Sequence, residues 1–176
     1  MNYFTAQIKT LKEEEYIKRI QDLLQFRVEK QRFIFPKKLM PVRRKGKEIK
    51  EMVPLFPSYI FIETDEVDTE LYNIMRYTPN FYRFLPDNKN IHCLDGKDLS
   101  LIKHFMSFGE IIDTSKVYFD ENDRIVVAEG PLKGLEGYII KVDRRKKRAR
   151  IRVDINQNSI NLDLAFDVIS KEEKAE

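Results

Sequence analysis

Soft metal ligands are scarce in this sequence, which has one cysteine, two histidines and no tryptophan in 176 residues. A single thiol excludes a disulfide framework and any multi-cysteine metal site. The pair His92-Cys93 and the separate His104 match no zinc spacing, so we expect no metal and no other cofactor. A Cys93–His104 dyad would need a third group to orient the base, and no GxSxG or HExxH motif occurs. The chain therefore reads as a binding protein, not an enzyme.

Long apolar runs are also missing. The longest, such as Ile60–Ile62 and Ile125–Ala128, are far shorter than the roughly 18 residues that span a bilayer. The first residues turn acidic without the apolar core of a signal peptide, so we expect a cytoplasmic location without membrane contact. Only six glycines are present, and Gly134 is followed by Leu135 rather than by the Lys of a phosphate loop. These glycines therefore predict a turn.

The charge is almost balanced overall, at +3, but it is unevenly distributed. Residues Lys37–Lys50 hold seven cations against one acid, and Lys141–Arg152 hold eight against one. We call these stretches the first and second basic segments. Clusters of this kind bind polyanions because neutralised phosphates release their counterions. For the first segment the alternative is a solvated, flexible charged loop.

The second basic segment begins at the tip of a predicted hairpin and continues into a strand. Arg148, Arg150 and Arg152 share one face there, because side chains alternate along a strand. The pattern predicts that these arginines and the preceding cations grip a phosphate backbone. The alternative is a hairpin that only keeps the fold soluble. The candidate RNA-binding residues are Arg144, Arg145, Lys146, Lys147, Arg148, Arg150 and Arg152.

Hydrophobic periodicity predicts an α+β chain with two domains. Strands are expected at Asn2–Lys9, Arg32–Pro41, Leu55–Glu63 and Phe81–Leu85, and helices from Lys12 to about Phe26–Val28, over Val67–Arg76 and over Asp98–Phe108. Four further β runs follow, at Ile125–Glu129, Gly137–Val142, Arg148–Ile155 and Ser159–Phe166. Pro131 and its neighbouring glycines exclude a helix there, since each would cost about 1–3 kcal/mol. We expect an α/β sandwich over 1–108, a linker over 109–118 and a small β-barrel over 119–171.

The apolar strand in the front half has two distinct faces. Tyr59 and Phe61 point one way, with Phe56 beside them, and Ile60 and Ile62 point the other way. If the isoleucine face is core, the rings form an exposed patch that a partner would cover. The alternative is a sheet with both faces buried.

Several motifs together resemble the NusG-type transcription elongation factors. The front half resembles their N-terminal domain in three segments: LFPSYIFIE, Asn2-Tyr3-Phe4 upstream of it and MRYTPNF downstream of it. Their C-terminal KOW domain, a small β-barrel, resembles RIVVAEGPLKGLEGYIIKVD followed by RARIRV and INLDLAFDVI. The two motifs occur in the expected order and cover nearly the whole chain.

The resemblance implies a non-enzymatic, monomeric factor that binds the clamp helices of the largest RNA polymerase subunit. Phe56, Tyr59 and Phe61 inherit the polymerase-binding role, with Tyr3 or Phe4 beside them. It also implies contact with nascent RNA and with the non-template DNA strand. Lys9 and Arg76 match positions near that strand, and Thr69 lies in the segment that touches the opposite side of the DNA channel.

Two departures from the family pattern indicate a specialised paralogue. Ser58 replaces the usual glycine of the Phe-Pro-Gly-Tyr turn, and Asn156-Gln157-Asn158 replaces an aromatic-Gly pair that supports contact with a ribosomal protein or Rho. We therefore expect a LoaP-like or RfaH-like factor that promotes processive antitermination at particular operons. The alternatives are a housekeeping NusG that couples transcription to translation or Rho, and a ribosome-associated KOW RNA-binding protein.

Overall fold

The computed structural model describes residues 1–24 and 30–170. The three helices described are α1 (Glu13–Leu23), α2 (Thr69–Tyr77) and α3 (Gly96–Met106). The strands are β1 (Asn2–Ile8), β2 (Gln31–Ile34), β3 (Lys37–Arg44), β4 (Lys47–Pro54), β5 (Tyr59–Thr64), β6 (Phe81–Phe84), β7 (Ile111–Ile112), β8 (Ser115–Phe119), β9 (Ile125–Glu129), β10 (Ile139–Asp143), β11 (Arg148–Ile155) and β12 (Asn158–Val168). The predicted end of the first helix, at Phe26–Val28, lies outside the described residues.

The chain forms two compact units, and the first comprises residues 1–35, 56–103 and 155–158. Its centre is an antiparallel sheet in the order β2-β5-β1-β6. Phe4 lies opposite Ile62 and Ala6 opposite Ile60, so these side chains share one face of the sheet. That face forms a core with buried residues of α1 and α2; the core comprises Phe4, Ala6, Ile8, Tyr16, Ile20, Leu24, Ile60, Ile62, Leu71, Met75 and Phe84.

Local sequence explains the two helices of this core. Three glutamates occupy the first turn of α1, where the helix dipole favours anions. In α2 the Asp68 side chain caps the helix, because its Oδ1 accepts the Leu71 amide at 2.9 Å. The hydroxyl of Tyr16 on α1 donates to the Met75 carbonyl oxygen on α2 at 2.7 Å, so the largest polar ring of the core is satisfied.

The second compact unit comprises residues 36–55, 104–154 and those from 159 onward. Its five-stranded sheet has the order β10-β11-β12-β8-β9, and a three-stranded sheet has the order β4-β3-β7. Ala149, Ile151 and Val153 are buried, whereas Arg150 and Arg152 on the same strand are exposed. The predicted alternation along β11 is therefore confirmed, as is the α+β fold class with a β-rich C-terminal part.

Two strands occur in the stretch expected to be a linker. β7 pairs in parallel with β3, and β8 pairs with both β9 and β12. β7 has only two residues, too few for a periodicity argument, and the sequence of β8, SKVYF, does not alternate strictly between polar and apolar residues. The functional domain boundaries 1–108, 109–118 and 119–171 stay a prediction.

The first basic segment is a β-hairpin, not an open charged loop. β3 and β4 are antiparallel along their whole length, from the Lys37–Pro54 pair to the Arg44–Lys47 pair. The connecting Lys45-Gly46 turn has positive φ at both residues, 49° and 77°, as two-residue hairpin turns require. The cations therefore project from a defined ladder.

Gly130 is the glycine whose place in the second unit is most constrained. Its φ is +99°, and an added Cβ would lie 2.6 Å from the Ser115 Cα. Ser115 is itself buried, and its Oγ accepts the Leu132 amide at 2.9 Å. We predict that Gly130→Ala lowers the free energy of unfolding by about 2 kcal/mol or more, because it adds strain and a backbone clash.

Gly137→Ala is the matched control, since Gly137 has ordinary φ and open space at its Cβ position. Its expected effect is within about 1 kcal/mol. Urea denaturation of both variants measures the difference. Equal stability of the two would contradict this packing of β8 against the Gly130 turn.

Candidate nucleic-acid interface

The two basic segments, far apart in sequence, lie together in the second unit. The Arg148 Nη2 donates to the Pro41 carbonyl oxygen at 3.0 Å. The Lys147 ammonium forms an ion pair with Glu48 at 3.3 Å. These contacts connect the β3–β4 hairpin with the turn between β10 and β11. Sequence reasoning treated the two segments separately and missed this juxtaposition.

A buried lysine anchors the base of the same hairpin. Lys38 is 7% exposed, and its Nζ donates to the Asp163 backbone oxygen on β12 at 2.5 Å. Burial lowers the pKa of the Lys38 ammonium to about 8, while the Asp163 carboxylate raises it and Arg148 lowers it. The hydrogen bonds of Arg150 hold the pKa of Asp163 below its usual range, so that carboxylate stays charged. No sequence pattern marks Lys38 as different from Lys37.

The β10–β11 turn is fixed by its own hydrogen bonds. Asp143 Oδ1 accepts the Lys146 amide at 2.9 Å, and Lys147 adopts a positive φ of 51°. Arg145 and Lys146 are exposed at the tip. Within the described residues their charged groups have no hydrogen-bond or ion-pair partner. The turn therefore presents two available cations in a defined position.

The other candidate RNA-binding residues make contacts within the unit. The Arg144 guanidinium pairs with Asp123 and lies 3.5 Å from the Phe119 ring centroid. Arg150 binds Asp163 through two hydrogen bonds of 2.7 and 3.0 Å. The Arg152 Nε donates to Asn161 at 3.4 Å. These groups are at the surface, where such pairs are weak, so a phosphate can compete for them.

Some cations of the two basic segments are not among the candidate RNA-binding residues but are more available than several of those candidates. Arg43 and Lys45 on the hairpin and Lys141 on β10 are exposed. Their charged groups have no partner within residues 1–24 and 30–170. The local density of Lys and Arg was the only signal in the sequence, and it did not show which side chains are free.

The expected aromatic patch is largely buried, which corrects one interpretation of the front half. Phe56 and Phe61 are both 0% exposed, with ring centroids 5.3 Å apart, and Phe4 is 8% exposed. The residues beside Phe61 on its face, Thr5 and Ile34, are also buried. Both faces of the sheet are therefore buried at this level, and these three phenyl rings offer no free surface.

The two tyrosines of the same set remain partly accessible. Tyr3 on β1 and Tyr59 on β5 are half-buried and lie on one face of the sheet. The Tyr3 hydroxyl donates to Glu63 Oε1 at 2.9 Å. Burial and the Glu63 carboxylate raise the pKa of Tyr3, so its ring stays neutral. The tyrosines are therefore the rings of this set with accessible surface.

Ser58 retains the backbone geometry of the glycine that it replaces in the family motif. Its φ is +73°, a conformation that costs energy for a residue with a Cβ. The Ser58 amide donates to Glu13 Oε1 at 2.8 Å, and its hydroxyl bonds to that of Thr10. These bonds compensate for the backbone cost and preserve the turn before β5.

The three DNA-contact candidates lie at two ends of α2. The Lys9 amide bonds to the Asn80 carbonyl oxygen at 2.9 Å, which places Lys9 near the C-terminal end of the helix with Arg76. Thr69 begins α2, about 10 Å from Arg76 along the helix axis. Arg76 lies 6.0 Å from the ring centroid of Tyr77, which is 77% exposed. Sequence reasoning did not single out Tyr77.

The described residues hold no cluster of metal-ligating side chains. No group of three or more His, Cys, Asp or Glu side chains within them could hold a metal ion. His104 Nε2 lies 2.7 Å from the Pro131 carbonyl oxygen, and its ring packs against Phe105 and Phe108, so its contacts are structural. No helix in residues 1–24 and 30–170 is long and apolar enough to cross a membrane.

Comparison with known proteins defines the class. Residues 1–103 match the family model described as "Transcription termination factor nusG", so the chain belongs to the NusG family of transcription termination/antitermination factors, which are not enzymes. Relatives include the NusG proteins of Rickettsia felis, 24% identical over 88% of this chain and 83% of the relative, and Borreliella burgdorferi, 28% identical over 76% of each chain. The family-level resemblance is confirmed.

The fold of the whole chain agrees with a solved structure of this family. The structure described as "Domain interaction in Thermotoga maritima NusG" is 18% identical, covers 93% of each chain and superposes with a TM-score of 0.52. At this identity the likeness concerns the fold alone. The first unit thus corresponds to the NusG N-terminal α/β region, and the curled five-stranded sheet is KOW-like.

The titration of Lys38 yields a pH prediction. Its ammonium loses its proton near pH 8 in the folded chain and near 10.5 when unfolded, so between these values the unfolded chain binds more protons. The free energy of unfolding then rises with pH. Compared with Lys38→Met, the wild-type chain should gain stability between pH 8 and 10.5, by on the order of 3 kcal/mol.

Urea denaturation of both chains at a series of pH values measures this gain. Taking the difference removes the contribution of the other lysines and tyrosines, which titrate in both chains. A difference that does not change with pH would mean that Lys38 is solvated and does not anchor the hairpin.

Proposed function

We propose that this chain is a transcription elongation factor that binds RNA polymerase and promotes processive antitermination at particular operons, holding nascent RNA with its KOW-like unit. Membership of the NusG family supports the general role. The observation that carries the RNA-binding role is the pair of exposed cations Arg145 and Lys146 on the β10–β11 turn, whose charged groups have no partner among the described residues. A fixed cationic turn gains phosphate contacts without first having to be ordered.

The proposed polymerase contact lies on the first unit. Tyr3 and Tyr59 provide half-exposed aromatic surface on adjoining strands, and aromatic side chains with a polar end are favoured at protein interfaces. The buried rings of Phe4, Phe56 and Phe61 position these strands from within. The partner that we propose is the pair of clamp helices of the largest polymerase subunit.

A contact with the non-template DNA strand is supported at the C-terminal end of α2. Lys9 and Arg76 are exposed there, and Tyr77 adds an exposed ring on which an unpaired base can stack. Thr69 at the opposite end of α2 would face the other side of the DNA channel. This arrangement favours binding of the separated strand that transcription exposes.

The specialised role is supported by the turn between β11 and β12. The Asn156 amide donates to Asp98 Oδ2 at 2.7 Å, and the Arg83 Nη2 donates to Asn158 Oδ1 at 3.2 Å. The turn contains no aromatic residue, and the bond to Asp98 is made by the backbone amide of Asn156. In the family pattern an aromatic-Gly pair at this place supports ribosome or Rho contact, so we propose that this chain has lost that coupling.

The RNA-binding role is tested with Arg145→Ala/Lys146→Ala. We expect weaker binding to RNA and a salt dependence, d log K/d log[salt], that is flatter by roughly 0.7–0.9 for each lost phosphate contact. The matched control is Lys18→Ala/Lys103→Ala, which removes the same charge from exposed positions in the first unit. Neither lysine has a charged partner in the part of the chain that the structure describes. Titration of labelled RNA at several salt concentrations measures both. Equal slopes for the two variants would contradict an RNA site at the turn.

The polymerase and operon roles are tested by occupancy along the genome. The chain is expected to accompany polymerase on a few operons, and Tyr3→Ser/Tyr59→Ser is expected to lose that occupancy. Tyr82→Ser, which changes an exposed side chain of β6, is expected to retain it. Occupancy of most transcribed genes would contradict the specialised role and support a housekeeping factor. Sedimentation with ribosomes in place of polymerase would support a ribosome-associated RNA-binding protein.

A further inference from the structure

A cleft lies between the β3–β4 hairpin and the β10–β11 turn of the second unit. Its volume is about 450 Å³. The hairpin contributes one wall, and the turn with the start of β11 contributes the other. The lining residues are Pro41, Val42, Arg43 and Glu48 on the first wall and Arg145, Lys146 and Arg148 on the second.

The cleft is positively charged, and most of its cations have no partner among the described residues. Four cations line it against the single carboxylate of Glu48, which gives a net charge of +3. Glu48 is itself paired with Lys147. Arg43, Arg145 and Lys146 have no charged or hydrogen-bonding partner for their side chains among the described residues. Cations held together without counter-charge repel one another, so an anion that enters relieves an unfavourable arrangement.

Both walls are held in place before any ligand arrives. Arg148 bonds to the Pro41 carbonyl oxygen directly across the cleft, and the buried Lys38 ammonium bonds to Asp163 below it. β3 also pairs with β7 on its other side. A preformed site of this kind loses little conformational entropy on binding.

The cleft continues into a second depression, which favours a chain of phosphates over a single anion. This depression of about 130 Å³ shares Lys146 and Arg148 with the cleft. It adds Lys141 and Arg150 on the sheet, together with the carboxylates of Asp143 and Asp163. Asp143 accepts the Lys146 amide and Asp163 is bound by Arg150, and the four cations still leave a net charge of +2. The cations thus follow one path from the hairpin, across the turn and along β11.

The side chains that line both depressions include no aromatic ring. Sequence-specific RNA sites stack unpaired bases on aromatic rings, whereas contacts to phosphate carry no sequence information. We propose that the β3–β4 hairpin is the second wall of the RNA site, and that Arg43 and the β10–β11 cations together hold the RNA sugar–phosphate backbone without reading its bases. This proposal rests on the proposed RNA-binding function and extends it to a part of the chain outside the KOW motif.

Arg43→Ala tests the hairpin wall, and Lys47→Ala is the matched control on the same hairpin. Both side chains are exposed and lack partners in the described part of the chain, but Arg43 lines the cleft, whereas Lys47 neighbours Glu48 and so points to the opposite face of β4. We expect Arg43→Ala to weaken RNA binding about tenfold and to flatten the salt slope by roughly one phosphate contact. Lys47→Ala should change affinity less than about twofold.

Glu48→Gln provides a gain of affinity that a misfolded variant cannot mimic. It removes the only carboxylate of the cleft and releases Lys147, so RNA should bind more tightly than to the wild-type chain. Each variant is titrated with single-stranded RNA of two unrelated sequences and with a duplex of one of them. The loss caused by Arg43→Ala should be the same for both sequences.

The outcomes separate this proposal from the proposed function. If Arg145→Ala/Lys146→Ala weakens binding while Arg43→Ala matches Lys47→Ala, the RNA site stands without the hairpin and the two-walled cleft is wrong. If neither variant changes affinity or slope, the RNA-binding function itself is wrong. If Arg43→Ala weakened binding to one RNA sequence more than to the other, the proposal that the cleft does not read bases would be wrong. The duplex titration shows whether paired or unpaired backbone fits the cleft, and failure to bind either form would overturn the proposal.

Discussion

The attachment of the β3–β4 hairpin to the five-stranded sheet is the contact on which the nucleic-acid interface depends. Two cations make it by donating to backbone oxygens, Lys38 to Asp163 and Arg148 to Pro41. Such bonds are strong because one partner is charged, and removing either donor would leave a partly buried carbonyl unsatisfied. Through them, two clusters that sequence separates by about a hundred residues become one positive surface.

In the first unit, buried aromatic rings fix the positions of the strands. The strands β1 and β5 place isoleucines and phenyl rings on opposite faces, and both faces are covered near Phe61. The rings therefore determine where the strands lie. Tyr3 and Tyr59 keep half-exposed rings, and these form the recognition surface that we propose. A factor that works by binding needs this division, since the rigid interior fixes the position of a small accessible surface.

Much of the fold follows from local patterns in the sequence. The alternation of Arg148, Arg150 and Arg152 with buried residues predicted β11 and its faces, and the apolar spacing of Tyr16 and Ile20 predicted α1. The strand β7 was not predicted because it has only two residues, and β8 was not predicted because its residues do not alternate strictly. Both are stabilised by pairing with distant strands. Burial of Phe61 could not be predicted in the same way. Alternation assigns side chains to the two faces of a strand, but it does not show whether other residues cover each face.

The candidate site was predictable in composition and not in arrangement. The density of Lys and Arg pointed to both basic segments, because charge is visible in the sequence. The contact between the two segments could not be predicted from the sequence. Its hydrogen bonds end on backbone oxygens, which every residue type has, so the accepting residues carry no mark in the sequence. Charge density also does not show which cations are engaged: Arg43 has no partner among the described residues, while Arg150 is bound by Asp163.

The account rests on both basic segments forming a single RNA-binding surface. The most direct measurement is a titration of the isotopically labelled full-length chain with RNA, followed by nuclear magnetic resonance. The account predicts that backbone amides of Val42 and Arg43 shift along the same binding curve as those of Arg145 and Lys146. Shifts confined to the β10–β11 turn, with the hairpin amides unmoved at saturation, would contradict it.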